Sequence, residues 1–335
     1  MNVNFLGIVA ADWGFLQTYC LFLSAVAIAA GFYIRFWQRL QNIFLAEITV
    51  PSGFGVLLPF CFSFLIIFAE YSFADVSAIA VLIVATAIYW FDDFLKISAA
   101  YRIFITIFAG LILAGLQSTT LSLLPVTVFF GYSCLFVGSF LVFVNMLNFQ
   151  DGADLNLVSI LLPFFLTAAF TDLSTQKLND IALMSCSFIA VFAIFNSRKN
   201  TLYFGDCGCF AAGYVICILL FDSLDNPKIV QFSAAITLPL IDFFVVILYR
   251  IARRDNLLER HYLHLYQRIQ KRWGGFWYLV PQLAYVTSCN VILVYLETMP
   301  NYSLMVGFAA LGLLALLTYA ALTLFVSRYP KGLGQ

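Results

Sequence analysis

Eleven stretches of this chain are apolar over roughly the length a helix needs to cross a bilayer, about 20 residues with a tolerance of several. They lie near 14–34, 54–70, 75–91, 101–117, 123–146, 154–171, 180–196, 207–222, 229–249, 276–296 and 302–327. Polar and charged residues are confined largely to the connections. Inside hydrocarbon every backbone polar group must be satisfied within its own segment, so this pattern predicts an all-α, polytopic transmembrane bundle of about 11 spans, a single domain over 1–335. With 63% of residues hydrophobic and only 10% charged, the chain has too little charge to cover a water-soluble protein of this size. The absence of a basic domain or basic–aromatic platform argues against nucleic acid as a partner.

Charge placement predicts the orientation. Asp12 precedes the first apolar run and Arg35 and Arg39 follow it, the order expected of an uncleaved first span with a periplasmic N-terminus. Eleven spans from that start place fifteen of the seventeen basic residues, and the C-terminus, on the cytoplasmic side. Lys177 and Lys228 alone fall outside. An error of one in the span count would mix the two sets, so the positive-inside rule supports count and orientation together. Asp242 lies within a span beside Pro239 and requires a buried partner or an interfacial position.

Four cytoplasmic segments, near 91–102, 145–156, 197–208 and 250–275, carry chemically capable groups. Asp92-Asp93 ends the third span, and adjacent carboxylates at an interface repel unless a positive charge compensates. In Asn145-Met146-Leu147-Asn148-Phe149-Gln150-Asp151-Gly152-Ala153-Asp154, amides and carboxylates recur every three residues, on one helical face until Gly152. In Phe204-Gly205-Asp206-Cys207-Gly208 a glycine-flanked aspartate opens a helix, where backbone N–H groups stand ready for an anion; a simple N-cap is the plainer reading of it. His261 and His264, the only histidines, sit in a basic loop with amphipathic stretches suited to an anionic lipid surface. Carboxylate and amide oxygens in this number suit Mg²⁺ or Mn²⁺, and the neighbouring Arg and Lys suit a polyanionic substrate. Cys207-Gly208-Cys209 has no second ligand pair nearby, and its thiols read as small hydrophobes.

At these positions the sequence resembles the polyprenyl-phosphate N-acetylhexosamine-1-phosphate transferases. The family's Asp-Asp motif matches Asp92-Asp93. Its Asn-x-x-Asn-Phe-x-Asp-Gly-x-Asp motif matches Asn145, Asn148, Phe149, Asp151, Gly152 and Asp154. Its Phe-x-Gly-Asp-x-Gly segment corresponds, one residue shorter, to Phe204–Gly208, and its His-x-x-His-Leu-Tyr-Gln-Arg form to His261 through Arg268. Order, spacing and span ends agree over residues 90–270. Three departures stand out: Val50-Pro51-Ser52-Gly53-Phe54-Gly55 lacks the arginine of the family's Pro-x-Arg-Gly-Gly segment, Cys209 replaces Ser or Thr, and Tyr262 replaces an arginine. They point to an unusual donor sugar.

The resemblance implies transfer of a sugar 1-phosphate from a UDP-sugar to undecaprenyl phosphate at the cytoplasmic face of a bacterial inner membrane, at the start of cell-surface polysaccharide synthesis. It implies Mg²⁺ held by Asp206 with Asp92 or Asp151, and Asp92 or Asp93 as proton acceptor. Asn145, Asn148, Asp154, Lys96, Arg102, Lys199, His261, His264 and Arg268 would bind substrate, and membrane lipids and a homodimer are the expected partners. A transporter or flippase of a lipid-linked or anionic solute is the competing class. Such proteins place ionisable groups near the midplane and show internal repeats; here only Asp242 is so placed, and no repeat is evident.

Overall fold

In a computed structural model, residues 13–44, 50–68, 72–95, 98–117, 126–171, 173, 175–198, 201–257, 259, 261–299 and 302–328 are described. They form twelve α-helices: α1 (Trp13–Phe44), α2 (Leu58–Phe68, entered through a 3₁₀ turn at Phe54–Leu57), α3 (Phe73–Leu95), α4 (Ala99–Gln117), α5 (Val126–Gln150), α6 (Asn156–Ala169), α7 (Gln176–Asn196), α8 (Gly205–Phe221), α9 (Ile229–Arg253), α10 (Leu265–Trp273), α11 (Leu279–Glu297) and α12 (Leu304–Arg328). No strand occurs among the described residues. A helix stands at each of the eleven apolar runs. Seven, α3, α4, α5, α7, α9, α11 and α12, are long and apolar enough to cross a membrane; the apolar parts of α1, α2, α6 and α8 are shorter. The additional helix, α10, lies in the basic loop and carries Lys271 and Arg272 in its last turn.

Helix α8 is apolar on every side and buried along nearly its whole length, as expected of a helix with no polar face to offer water. It packs against α5, α3, α7 and α2, whereas α9 gathers α6, α11 and α12. The outward surfaces are also apolar: Phe104 and Phe108 on α4, Leu135 on α5, Val291 on α11 and Leu316 on α12 are exposed. A water-soluble protein would not leave so continuous an apolar surface bare. Pro163 and Pro239 lie inside α6 and α9, a placement that spanning helices tolerate when neighbours satisfy the freed carbonyls.

The connections gather into two groups. At one end Lys177, at the start of α7, pairs with Asp75 at the start of α3, and Lys228, entering α9, pairs with Glu297 at the end of α11. Gln231 Nε2 donates to the same Glu297 at 2.7 Å. The two lysines that charge counting set apart from all other basic residues are thus each neutralised across a helix–helix contact. Replacing Lys177 with Met strips Asp75 of that cation. It should lower stability by about 1 kcal/mol, read as a thermal midpoint in detergent about 2 °C lower, with Asp75→Asn in the same chain restoring most of the loss.

Candidate active site

At the other end the four chemically capable segments meet. Asp92, in the last turn of α3, is buried, and Arg102 reaches it from α4 with Nε 3.5 Å from the carboxylate. The same guanidinium pairs through Nη1 with Asp206. The hairpin presenting Arg102 is fixed by Tyr89, whose hydroxyl donates to the Arg102 carbonyl at 2.7 Å. The compensating charge that adjacent carboxylates require is therefore Arg102, shared between α3 and α8. Asp93 belongs to α3, but its side chain lies outside the described residues, as do Lys96 and Lys199.

Asp206 is not the N-cap of α8. Phe204 occupies that position and Asp206 stands in the first turn, where the exposed N–H groups of the helix favour a negative charge. Before it, Gly205 has φ +80°, and a Cβ there would fall 2.5 Å from the Gly53 backbone. Its N–H donates to Asp151 Oδ2 at 2.8 Å. Asp151 begins the turn after α5 and is half-buried. Burial pushes its carboxyl up to about 7, the nearby Asp206 charge adds to this, and the Gly205 and Phe204 N–H groups oppose it. Asp92, Arg102 and Asp206 thus form one charged cluster drawn from α3, α4 and α8, and Asp151 joins it from the α5–α6 turn through the Gly205 N–H.

The rest of the second motif is tied into the surrounding backbone. Asn145 turns back to the Leu141 carbonyl of its own helix at 2.8 Å, and Asn148 is half-buried one turn on. Asp154 is half-buried; its carbonyl accepts from Tyr278 at 2.5 Å. Tyr266 donates to the Phe149 carbonyl at 2.9 Å, and a Cβ on Gly152 would fall 2.2 Å from that hydroxyl, so only glycine admits it. Asn196 clamps both flanking loops, accepting from Leu155 N at 2.6 Å and donating to the Leu202 carbonyl at 2.7 Å.

In the basic loop His261 is half-buried, and burial, then His264 and Arg250, push it down to about 4. The ring is neutral near pH 7, and its Nδ1 is buried with no hydrogen-bond partner among the described residues. His264 is 1% exposed and bonds Asp242, which is treated below. Arg268 Nη2 donates to Tyr319 and Thr323 of α12, each at 3.2 Å. Arg250 donates to the Asn256 and Leu257 carbonyls and so fixes the start of the loop. Cys207 and Cys209 are fully buried, with Cys207 Sγ 3.3 Å from the Gly53 carbonyl. Among the described residues no three carboxylate, histidine or cysteine side chains stand together as a ready metal cage.

Sequence reasoning missed the role of Pro51–Gly55. This segment lies along the Asp206 turn: Tyr203 N donates to the Pro51 carbonyl at 2.8 Å and Gly55 N to the Phe204 carbonyl at 3.0 Å. A Cβ on Gly55 would fall 2.1 Å from Gly208 Cα. The spaced glycines Gly53, Gly55, Gly205 and Gly208 were the legible signal of two backbones in close approach. Gly55→Ala should separate the segments, abolish most enzymatic turnover in a membrane assay, and lower the thermal midpoint, whereas Gly115→Ala, where a Cβ meets nothing within 4 Å, should leave both unchanged.

No curated protein matches the chain. One family model matches residues 76–224; that range spans the Asp92, Asn145–Asp154 and Phe204–Gly208 segments and stops short of Asp242 and the histidines. Its description is glycosyl transferase family 4, and the match supports the family that the motifs resemble.

Proposed function

We propose that the protein is a transferase that moves a sugar 1-phosphate, from a UDP-N-acetylhexosamine, to undecaprenyl phosphate, releasing UMP. The observation that carries this reading is Arg102 shared by Asp92 and Asp206, with Asp151 bonded to the Gly205 N–H beside Asp206, all at the ends of spanning helices. One substrate is a soluble nucleotide and the other a lipid whose phosphate lies at the interface, so their chemistry belongs at such a helix end. The fifteen-to-two distribution of basic residues supports a cytoplasmic orientation for that end, with eleven crossing helices in a bacterial inner membrane.

The donors are of the type a hard divalent cation takes, although Asp206, Asp151 and Asp92 are not gathered into a cage before it binds. They are carboxylate oxygens, and burial above all holds the Asp151 carboxyl up near neutrality, a shift that a nearby cation would oppose. Asp206, assisted by Asp151 and Asp92, would hold Mg²⁺ or Mn²⁺, which when bound neutralises the diphosphate and the leaving UMP. Arg102 balances the carboxylates and is placed to follow a phosphate as negative charge enters. Asp92 or Asp93 accepts the proton of the lipid phosphate where that phosphate carries one. The Asn148–Asp154 turn, pinned by Tyr266 and Tyr278, holds the nucleotide, and the histidine loop covers it.

Nanodisc-embedded protein should release UMP from one of a panel of UDP-N-acetylhexosamines only when undecaprenyl phosphate is present. Asp206→Asn should lower that rate by at least about 100-fold while the elution profile of the folded protein is unchanged; full activity in this variant removes Asp206 from the chemistry. Chelation with EDTA should abolish release, and adding back Mg²⁺ or Mn²⁺ should restore it. Release that survives chelation rules out the metal.

A further inference from the structure

Asp242 is buried in the interior of α9, three residues after Pro239. An ionised side chain in such a position persists only where it is fully hydrogen-bonded or has a task. Its carboxylate meets three partners from outside α9. His264 Nδ1 lies 2.8 Å from Oδ2, the Leu265 N–H donates to Oδ1 at 3.0 Å, and Gln150 Nε2 donates to Oδ2 at 3.3 Å. The Tyr319 hydroxyl is a further neighbour. A carboxylate can only accept, so in the neutral ring of His264 the proton sits on Nδ1. Nε2 is then left with its lone pair, and it is buried with no hydrogen-bond partner among the described residues.

In the adjacent ring His261 Nδ1 is likewise buried without a hydrogen-bond partner among the described residues. Buried polar atoms are almost always satisfied, and one that is not calls for an explanation. The two ring nitrogens face away from each other. With Nδ1 committed to α9, Nε2 is turned from it, and the neighbouring rings are Phe149, 5.2 Å away, and His261, 5.0 Å away. Phe149 immediately precedes the Gln150-Asp151 pair, so one short stretch connects both halves: Gln150 bonds Asp242 and Asp151 bonds the Asp206 turn.

We propose that Asp242 is a positioning residue. It fixes the tautomer and orientation of His264 so that Nε2 accepts a hydrogen bond from a hydroxyl or amide N–H of the nucleotide sugar. This rests on the transferase reading for the identity of the substrate, but not for the tautomer. Asp242→Asn tests it with little change in shape. An amide at this position keeps an acceptor for Leu265 N–H, gives up the weaker bond from Gln150 Nε2, and turns its NH₂ on His264 Nδ1, which drives the proton to Nε2 and closes the acceptor.

The chain has two histidines, so ¹⁵N-histidine labelling in nanodiscs gives two rings, and His261→Gln assigns them. Wild-type His264 should show a protonated Nδ1 and a bare Nε2, and Asp242→Asn should reverse or mix the two. With UDP-N-acetylglucosamine or UDP-N-acetylgalactosamine and undecaprenyl phosphate, Asp242→Asn should reduce kcat/KM for UMP release by about 10- to 100-fold, the range in which carboxylates that orient histidines act. His264→Gln should cost a similar factor, and the double variant should be no worse than the weaker single. A wild-type His264 protonated on Nε2, an unchanged tautomer in Asp242→Asn, or losses that multiply in the double variant would each overturn the assignment. Should the wild type release no UMP from any donor, the transferase reading is what fails, and the tautomer result alone decides the role of Asp242.

Discussion

In a hydrocarbon slab an unpaired polar group has no water to turn to, and the internal design of this bundle follows from that constraint. At one end Lys177 meets Asp75 and Lys228 meets Glu297, each pair joining two helices. At the other, Arg102 is shared by Asp92 and Asp206. In the interior of α9, Asp242 is met by His264, Leu265 and Gln150. Where charge is placed in low dielectric, the cost of removing it from water is offset only by such full pairing. The same contacts therefore fix which helices lie side by side.

Helix α8 shows how that constraint becomes a site. Being apolar all round, it can stand only at the centre, so its first turn is presented at the middle of one end of the bundle. Asp206 occupies that turn, and Asp151, Arg102 and Asp92 close on it from three other elements. The approach is possible because glycines face one another. Gly55 lies against Gly208, and Gly205 against Gly53, with no room for a Cβ at Gly55 or Gly205. Acid chemistry at the membrane surface thus depends on backbone packing a few ångströms beneath it. Pro51–Gly55, which lacks the arginine of the family's motif, is thus a segment in direct contact with the Asp206 turn.

Much of this was legible in the residues. The apolar runs have the length that a helix needs, and each is helical; the fold class follows from period and hydrocarbon thickness alone. The motif segments were legible because carboxylates, amides, glycines and histidines are rare in a chain so apolar and fall beside one another at span ends. The basic loop reads as amphipathic in places, but the helix α10 within it was not foreseen. The plainer reading of Asp206 as an N-cap was the one that fell, since capping depends on backbone angles one residue away, at Phe204 and Gly205.

What the sequence by itself determined was a membrane-embedded helical bundle with reactive groups at its helix ends, because hydropathy and charge act over short, contiguous stretches of chain. Only the tertiary structure decided the partners: Arg102 between Asp92 and Asp206, Asp151 on the Gly205 N–H, Pro51–Gly55 beneath the Asp206 turn, and Asp242 on His264. Each joins residues distant in sequence, and the physical reason they were hidden is the same in every case. A pairing energy depends on a distance of about 3 Å, and that distance is set by the packing of whole helices, not by any residue pattern along one of them.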